Sequence, residues 1–411
     1  SQVYQSNSVI TDPEINNYIQ MLGRKLSESG TDEKLPFKFF IVNDPSINAF
    51  AMLGRIIGVH TGLILAANTE SELSSVLSHE IAHITQKHLL RLFDSQARNS
   101  FKSYIALAFA ILAARSNPEI ASGAITAASA AQVQNILDFT RDNEKEADRL
   151  GIEILYNSGF DPNGFIDFFR TIEKFNEFSS GAAPSFLRTH PITADRISDI
   201  QDRLKKYKYF QRSSKLEFYL IKAKLKAFLG EKNTTTHHFK KEIIDKTSLN
   251  EKASYFGLVY SFLRDNNINE AKKNFIFVKE VESPMIYQLE GTILLSEKKY
   301  EEAYAVYQAG LKKYPHNITL ITSVANLLIN TNQANQAIVF LKKYLEIYSE
   351  NFFIYDLLAK GYSLIGKKLL EHESLSNAYY FKYDIREAIT QMDLATKAND
   401  GNFYEKSRVE F

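Results

Sequence analysis

The 411-residue chain contains no cysteine. Disulfides are thereby excluded, and so is every metal site built on thiolate, which leaves histidine and carboxylate as the candidate metal ligands. An excess of charge of one sign is also lacking: 49 basic residues stand against 48 acidic ones, a formal net charge of +1. Such a chain sets up no field that would steer nucleic acid, and no basic cluster is interleaved with aromatics as nucleic-acid motifs require. Long apolar runs are missing too. The longest, Tyr104 to Ala114, is about half of the roughly 20 residues a helix needs to cross a bilayer, so no transmembrane segment is expected. The first residue is Ser1 and no charged-then-apolar leader follows it, which points to trimming or to a signal peptide already removed.

What is present is an ordinary globular mixture, 45% apolar and 24% charged. A chain of this length exceeds what one hydrophobic core usually serves, so two domains are expected. Ile10 to Leu26 reads as an amphipathic helix, and Pro36 to Val42 as a strand closed by Asn43-Asp44-Pro45. A further extended stretch is expected from Ala49 to His60. Thr69-Glu70-Ser71-Glu72 has the capping-box form, in which the Thr69 hydroxyl and the Glu72 carboxylate satisfy free backbone donors at a helix start. That helix should run to about Phe93, with Leu73, Val76, Leu77, Ile81 and Ile84 as its apolar stripe. The Ala- and Ser-rich stretch from Ala97 to Ala131 is broken at Asn117-Pro118 and reads as a mobile flap, with Tyr104 to Ala131 covering a cleft. A second long helix, Gln132 to Tyr156, should stop at Asn157-Ser158-Gly159, where glycine takes the left-handed conformation.

After about Tyr209 the pattern becomes periodic. Gly291, Ala325 and Ala359 lie 34 residues apart, as do Ala303 and Ala337, Leu311 and Leu345, and Tyr314 and Tyr348. A period of 34 with small residues at fixed positions is the tetratricopeptide signature: each helix pair stays half exposed until a neighbour stacks on it, and small residues let the helices approach. Ala271 and Ala388 fall off this interval, so about four repeats with degenerate ends are expected. Tyr300, Tyr304, Tyr307 and Phe340 either line a concave groove or pack in the core, and their helical spacing favours packing.

The chemistry is concentrated in His79-Glu80-Ile81-Ala82-His83. On a helix this HExxH spacing puts both imidazoles on one face with the glutamate beside them, two ligands and a base. A third protein ligand is needed, leaving one position for a water whose pKa the metal lowers to roughly 7. Gln86 and Leu89 stand where a metzincin would carry glycine and histidine, so that class is excluded. His88 follows His79 by nine residues, which on an unbroken helix turns it to the far side. The better third ligand is Glu144 of Glu144-Lys145-Glu146-Ala147-Asp148. There Glu144 and Asp148 share a helix face beside a stripe of Ala147, Leu150, Gly151 and Ile154, so that Glu144 can ligate while Asp148 orients a ligand imidazole. Glu146 lies round the helix from Glu144 and is expected to be exposed.

Together, His79-Glu80-x-x-His83 and Glu144-x-x-x-Asp148 resemble the zinc peptidase family of the CAAX prenyl protease, the heat-shock protease HtpX and the mitochondrial protease OMA. The repeats place the likeness, which covers nearly the whole chain, in a soluble repeat-bearing branch. It implies a mainly α fold of the α+β kind: a zincin-like metallopeptidase domain with a small sheet in residues 1–209, then an α-solenoid of tetratricopeptide repeats in residues 210–411. Asn48-Ala49-Phe50-Ala51 is similar to the family's strand before the active-site helix, which offers an edge to substrate; Leu53 and Arg55 stand where a proline and a second glycine are usual. Leu187-Arg188-Thr189-His190-Pro191 with Asp195-Arg196 resembles the family's THPxxxxR segment, which implies catalytic roles for His190 and Arg196. A donor or cation there would stabilise the oxyanion formed at an attacked amide, whereas a histidine ligated to the metal would displace the water.

The expectation is therefore a zinc endopeptidase with one Zn2+ per chain on His79, His83 and Glu144, and Glu80 as general base. The resemblance further implies a periplasmic location, unfolded or misassembled protein substrates, and outer-membrane barrel assembly machinery reached through the repeats. The rival expectation is a chaperone or assembly scaffold whose zinc site is blocked by its own His190.

Overall fold

A computed structural model describes residues 9–30, 36–91, 130–178, 184–208 and 213–410. The chain divides into two compact units, one of residues 18–218 and one of residues 1–17 with 219–411. The first contains α1 (Pro13–Gly30) from Tyr18 onward, then β1 (Lys38–Val42), β2 (Ala49–Met52), β3 (Ile56–His60), α2 (Thr61–Ala66), α3 (Glu70–Thr85), α4 (Ala130–Asn157), α5 (Gly164–Phe178), α6 (Ser185–Thr189) and α7 (Ala194–Leu204). Most of the expected flap lies in residues 92–129, outside the described residues.

The stretch expected to be extended from Ala49 to His60 is two strands and a turn. Gly54 and Arg55 both have positive φ, 87° and 61°, so the chain reverses at Leu53-Gly54-Arg55 and β2 pairs back antiparallel on β3, Met52 opposite Ile56. β3 also pairs in parallel with β1, Lys38 opposite Ile56, giving the order β1-β3-β2. The Gln20 side chain of α1 donates to Phe37 O and accepts from Phe39 N–H, pinning that helix to the β1 edge. β2 is the other edge, and among the described residues it pairs with β3 alone.

Helix α3 runs through the middle of this unit, with every residue from Glu70 to Ala82 buried. Thr69 caps it by accepting the Glu72 N–H, while the Glu72 carboxylate accepts the N–H of Asn68. The expected continuation to Phe93 does not occur: α3 stops at Thr85, Lys87 takes φ 54°, and helical turns resume at residues 88–91. Helix α4 packs on α3 through Gly151, where an added Cβ would stand 2.8 Å from Phe165 Cζ and 3.2 Å from the backbone N of His79. A glycine at this point lets the two backbones approach closely enough for the side chains one and two turns earlier on α4 to reach α3.

The second unit is helical. From Leu216 the chain forms α8 (Leu216–Leu229), α9 (Thr234–Ile244), α10 (Glu251–Arg264), α11 (Ile268–Phe275), α12 (Pro284–Ser296), α13 (Tyr300–Lys313), α14 (Ile318–Asn330), α15 (Ala334–Leu345), α16 (Phe352–Leu364), α17 (Lys368–Phe381), α18 (Ile385–Thr396) and α19 (Phe403–Glu410). These are six successive helix pairs, more than the four expected, because the outer pairs depart from the 34-residue interval. In the middle the interval governs the turns as well as the core. The N-caps Ser283, Asn317 and Asn351 lie 34 apart, and so do Lys298, Asn332 and Gly366, each in the left-handed region between paired helices. Ala303, Ala325 and Ala337 are fully buried, and a Cβ on Gly291 would fall 2.1 Å from Tyr307 Cε1. Tyr307 is core, Tyr304 and Phe340 pack at its margin, and Tyr300 is exposed.

Candidate metal centre

The site is assembled where α3, α4 and the α6–α7 connection meet. One turn apart on α3, His79 and His83 bring their Nε2 atoms to 3.0 Å. Glu144 of α4 faces both, Oε2 3.4 Å from His79 Nε2 and Oε1 3.3 Å from His83 Nε2. His190, just after α6, enters the same space: its Nδ1 lies 3.2 Å from His79 Nε2 and 3.1 Å from each Glu144 oxygen. These four residues are grouped closely enough to hold a metal ion. Ligands about 2.0–2.2 Å from a tetrahedral zinc stand roughly 3.3–3.6 Å from one another, so separations of 3.0–3.4 Å need to open by only a few tenths of an ångström to form such a cage. Simple hydrogen bonding accounts for it poorly, since three imidazole nitrogens and a carboxylate converge with too few protons between them.

Each sequence-predicted residue can be placed. Glu80 is 1% exposed. Its Oε1 finds no hydrogen-bond partner among the described residues, and lies 3.3 Å from His190 Nε2 without hydrogen-bonding geometry. An orphaned buried carboxylate oxygen beside the imidazoles suits a bound water or metal ligand sphere. Asp148 Oδ1 stands 3.0 Å from His79 Nδ1, on the side of the ring away from the cluster. Arg196 is 2% exposed. It forks onto Asp148 with contacts of 2.7 and 2.8 Å, and its Nη1 reaches Glu144 Oε2 at 3.0 Å and Pro191 O at 2.7 Å. It is thus fully engaged with the two carboxylates that face His79. Ala49, Phe50 and Ala51 lie on β2 with Asn48 just before it, and the Ala51 N–H donates to the Glu80 carboxylate. This turns the strand's unpaired side toward α3.

The charges are arranged for a cation. Burial works against a charged imidazole at His79, but its hydrogen bonds to Asp148 and Glu144 outweigh it and push the ring up to about 10. Burial would raise Glu144, yet its close contacts with His190, His79 and His83 hold it well below the carboxylate range. Burial also lowers His83 and His190, leaving two neutral rings of the kind that ligate. Burial raises Glu80, against the pull of His83 and His79, which gives a carboxylate with an increased appetite for a proton.

Two expectations are corrected. His88 does not face away: with α3 ended at Thr85 and Lys87 left-handed, its Nδ1 comes to 2.9 Å from His83 Nδ1. Glu146 is not exposed but half-buried, accepting from Arg91 Nη2 at 2.8 Å and lying 3.1 Å from His88 Nε2. Phe186 was not anticipated either. Buried at 4.9 Å between ring centroids from His190, it ties α6 to the strand region through its N–H to Ile47 O. No glycine, proline or asparagine marks the break at Gln86-Lys87, so periodicity alone carries the helix through it.

A helix bearing two imidazoles and a glutamate, a second helix bearing a carboxylate, and a run of stacked helix pairs define a metallopeptidase joined to a helical repeat. Residues 13–204 match the model of Peptidase family M48, and residues 294–360 match that of the Tetratricopeptide repeat; the chain carries an M48 peptidase domain followed by tetratricopeptide repeats. It is 29% identical to the beta-barrel assembly-enhancing protease of Escherichia coli K12 over 96% of this chain and 81% of that one. A Vibrio cholerae protein provisionally given the same name is 43% identical over 53% of this chain, and the match spans only 45% of that relative's length. The mitochondrial metalloendopeptidase OMA1 of Schizosaccharomyces pombe is 26% identical over 45% of this chain and 51% of its own. Among the described residues no helix is long and apolar enough to cross a membrane.

Proposed function

We propose that the chain is a zinc-dependent endopeptidase in which His79, His83 and Glu144 hold the metal and Glu80 is the general base, acting on misfolded or stalled proteins during periplasmic assembly of outer-membrane barrels. The observation that carries the catalytic part is the convergence of four donor atoms at 3.0–3.4 Å beside the orphaned oxygen of Glu80. Zinc, when bound, polarises a peptide carbonyl and acidifies water. Glu80, its proton affinity raised by burial, takes the proton of the attacking water and delivers it to the leaving nitrogen. An extended substrate adds as a strand to the β2 edge, main chain to main chain, and Ala51 ties that edge to the base. Arg196 neutralises and aligns Asp148 and Glu144, and Asp148 in turn holds the His79 ring. The division into a peptidase part, residues 1–209, and a repeat part, residues 210–411, is supported by the separate spans of the two family matches. The barrel-assembly role and the repeats' engagement of that machinery follow the names of the E. coli and V. cholerae relatives.

His190 favours a second reading of the resting site. With Nδ1 inside the donor cluster it stands where a fourth ligand would, so the peptidase is held closed until His190 withdraws. One experiment tests the catalytic reading: purified protein is assayed for zinc content and for cleavage of unfolded casein, alongside Glu80→Gln. Zinc retained with cleavage abolished in that variant is expected. Undiminished cleavage by Glu80→Gln would remove the glutamate from the mechanism, and zinc absent from both proteins would remove the metal.

A further inference from the structure

We infer that His88 is a positioning residue for His83, the second-helix-turn ligand, completing an outer shell that runs His83, His88, Glu146, Arg91; the inference rests on the zinc reading of the site. The geometry has one consistent proton order. For His83 Nε2 to offer its lone pair to the cluster its proton must sit on Nδ1, and the only acceptor described there is His88 Nδ1 at 2.9 Å. His88 then carries its own proton on Nε2, which faces Glu146 Oε2 at 3.1 Å. Glu146 is held in turn by Arg91 Nη2 at 2.8 Å, and the same Nη2 donates to Asn143 Oδ1 at 2.7 Å. Every link has a donor facing an acceptor, and the chain ends on a paired carboxylate rather than in solvent. His88 itself is 4% exposed, with its ring edge-on to that of His83 at 4.9 Å between centroids.

The arrangement parallels what stands behind the other imidazole. His79 Nδ1 meets Asp148 directly, and Asp148 is clamped by Arg196. His83 meets a carboxylate clamped by an arginine too, but through one interposed imidazole, because Glu146 sits on a different face of α4 from Glu144 and Asp148. The left-handed Lys87 is what brings His88 round: on a continued helix it could not reach His83.

The test compares zinc affinity of the full chain, wild type against His88→Ala, His88→Asn and Glu146→Ala, by competition with a chromophoric chelator, with the visible absorption of the cobalt-substituted proteins as a second readout. Loss of an outer-shell partner costs about 10–100-fold in metal affinity, and that loss is expected for His88→Ala together with an altered cobalt spectrum. His88→Asn, whose amide oxygen replaces Nδ1 as acceptor, should recover most of it. Glu146→Ala, on a half-exposed side chain, should lose affinity with the fold intact, and decides the matter if His88→Ala does not fold. Zinc affinities within twofold of wild type in His88→Ala and Glu146→Ala, or no recovery in His88→Asn, overturn the inference while leaving the zinc reading standing. A wild-type protein that takes no zinc from the chelator overturns both.

Discussion

His190 Nδ1 lies 3.1 Å from both oxygens of Glu144, closer to that carboxylate than either histidine of the HExxH motif. A residue 46 positions further along the chain thus enters the same cluster as Glu144 and the two histidines that face it. Whether it donates to a developing oxyanion or occupies a coordination position decides how the site is regulated.

The two roles differ in sign. Removing an oxyanion donor costs about 10²–10³-fold in kcat, whereas removing a blocking ligand releases activity. We expect His190→Ala to raise casein cleavage at unchanged zinc content, measured by initial rates with metal content on the same sample; a fall of the donor's magnitude would establish the other role.

Arg196 is buried against two carboxylates. Arg196→Met removes their countercharge and leaves them buried together, for which breaking a buried pair costs about 3–5 kcal/mol. Urea unfolding should show that loss, largely repaired when Asp148 is changed to Asn in the same chain. A stability unchanged in the single variant would mean the fork carries no net energy.

Gly151 lets α4 approach His79. The Cβ of Gly151→Ala meets Phe165 and the α3 backbone, and overpacking of this kind costs about 1–3 kcal/mol. The displacement moves Glu144 outward, so zinc affinity should fall along with stability. A destabilised protein with wild-type zinc affinity would show that the Gly151 contact does not set the ligand distance.

In the repeat unit, Lys224 is buried and paired to Asp12 at 2.9 Å and Glu14 at 2.8 Å. The two carboxylates outweigh burial and hold its ammonium well above the usual lysine range. Lys224→Met should destabilise by about 3–5 kcal/mol, read as a lower thermal midpoint, without altering zinc content. A midpoint matching wild type would show the pair to be dispensable.

Much of this was legible in the residues themselves. The period of 34 is written in alanines because small residues are demanded wherever stacked helices touch, and HExxH is written in four-residue spacing because one helical turn fixes it. The capping threonine, the strand of β1 and the glycine stop of α4 follow from local chemistry in the same way. Less legible were the extra helix pairs, whose packing positions drift off the interval, and the hairpin, where Gly54 alone marks the turn and the second left-handed residue is Arg55.

By itself, then, the sequence determined the helix that carries two imidazoles and a glutamate, the carboxylate helix that answers it, and the repeats, because each depends on contacts within a few residues or on a strict interval. Only tertiary structure decided which faces meet. The unmarked left-handed turn at Lys87 brought His88 to His83 and Glu146 in from solvent, and the docking of α6 put His190 beside His79 and Glu144. Those outcomes come from packing between segments far apart in the chain, which leaves no periodic trace in any one of them.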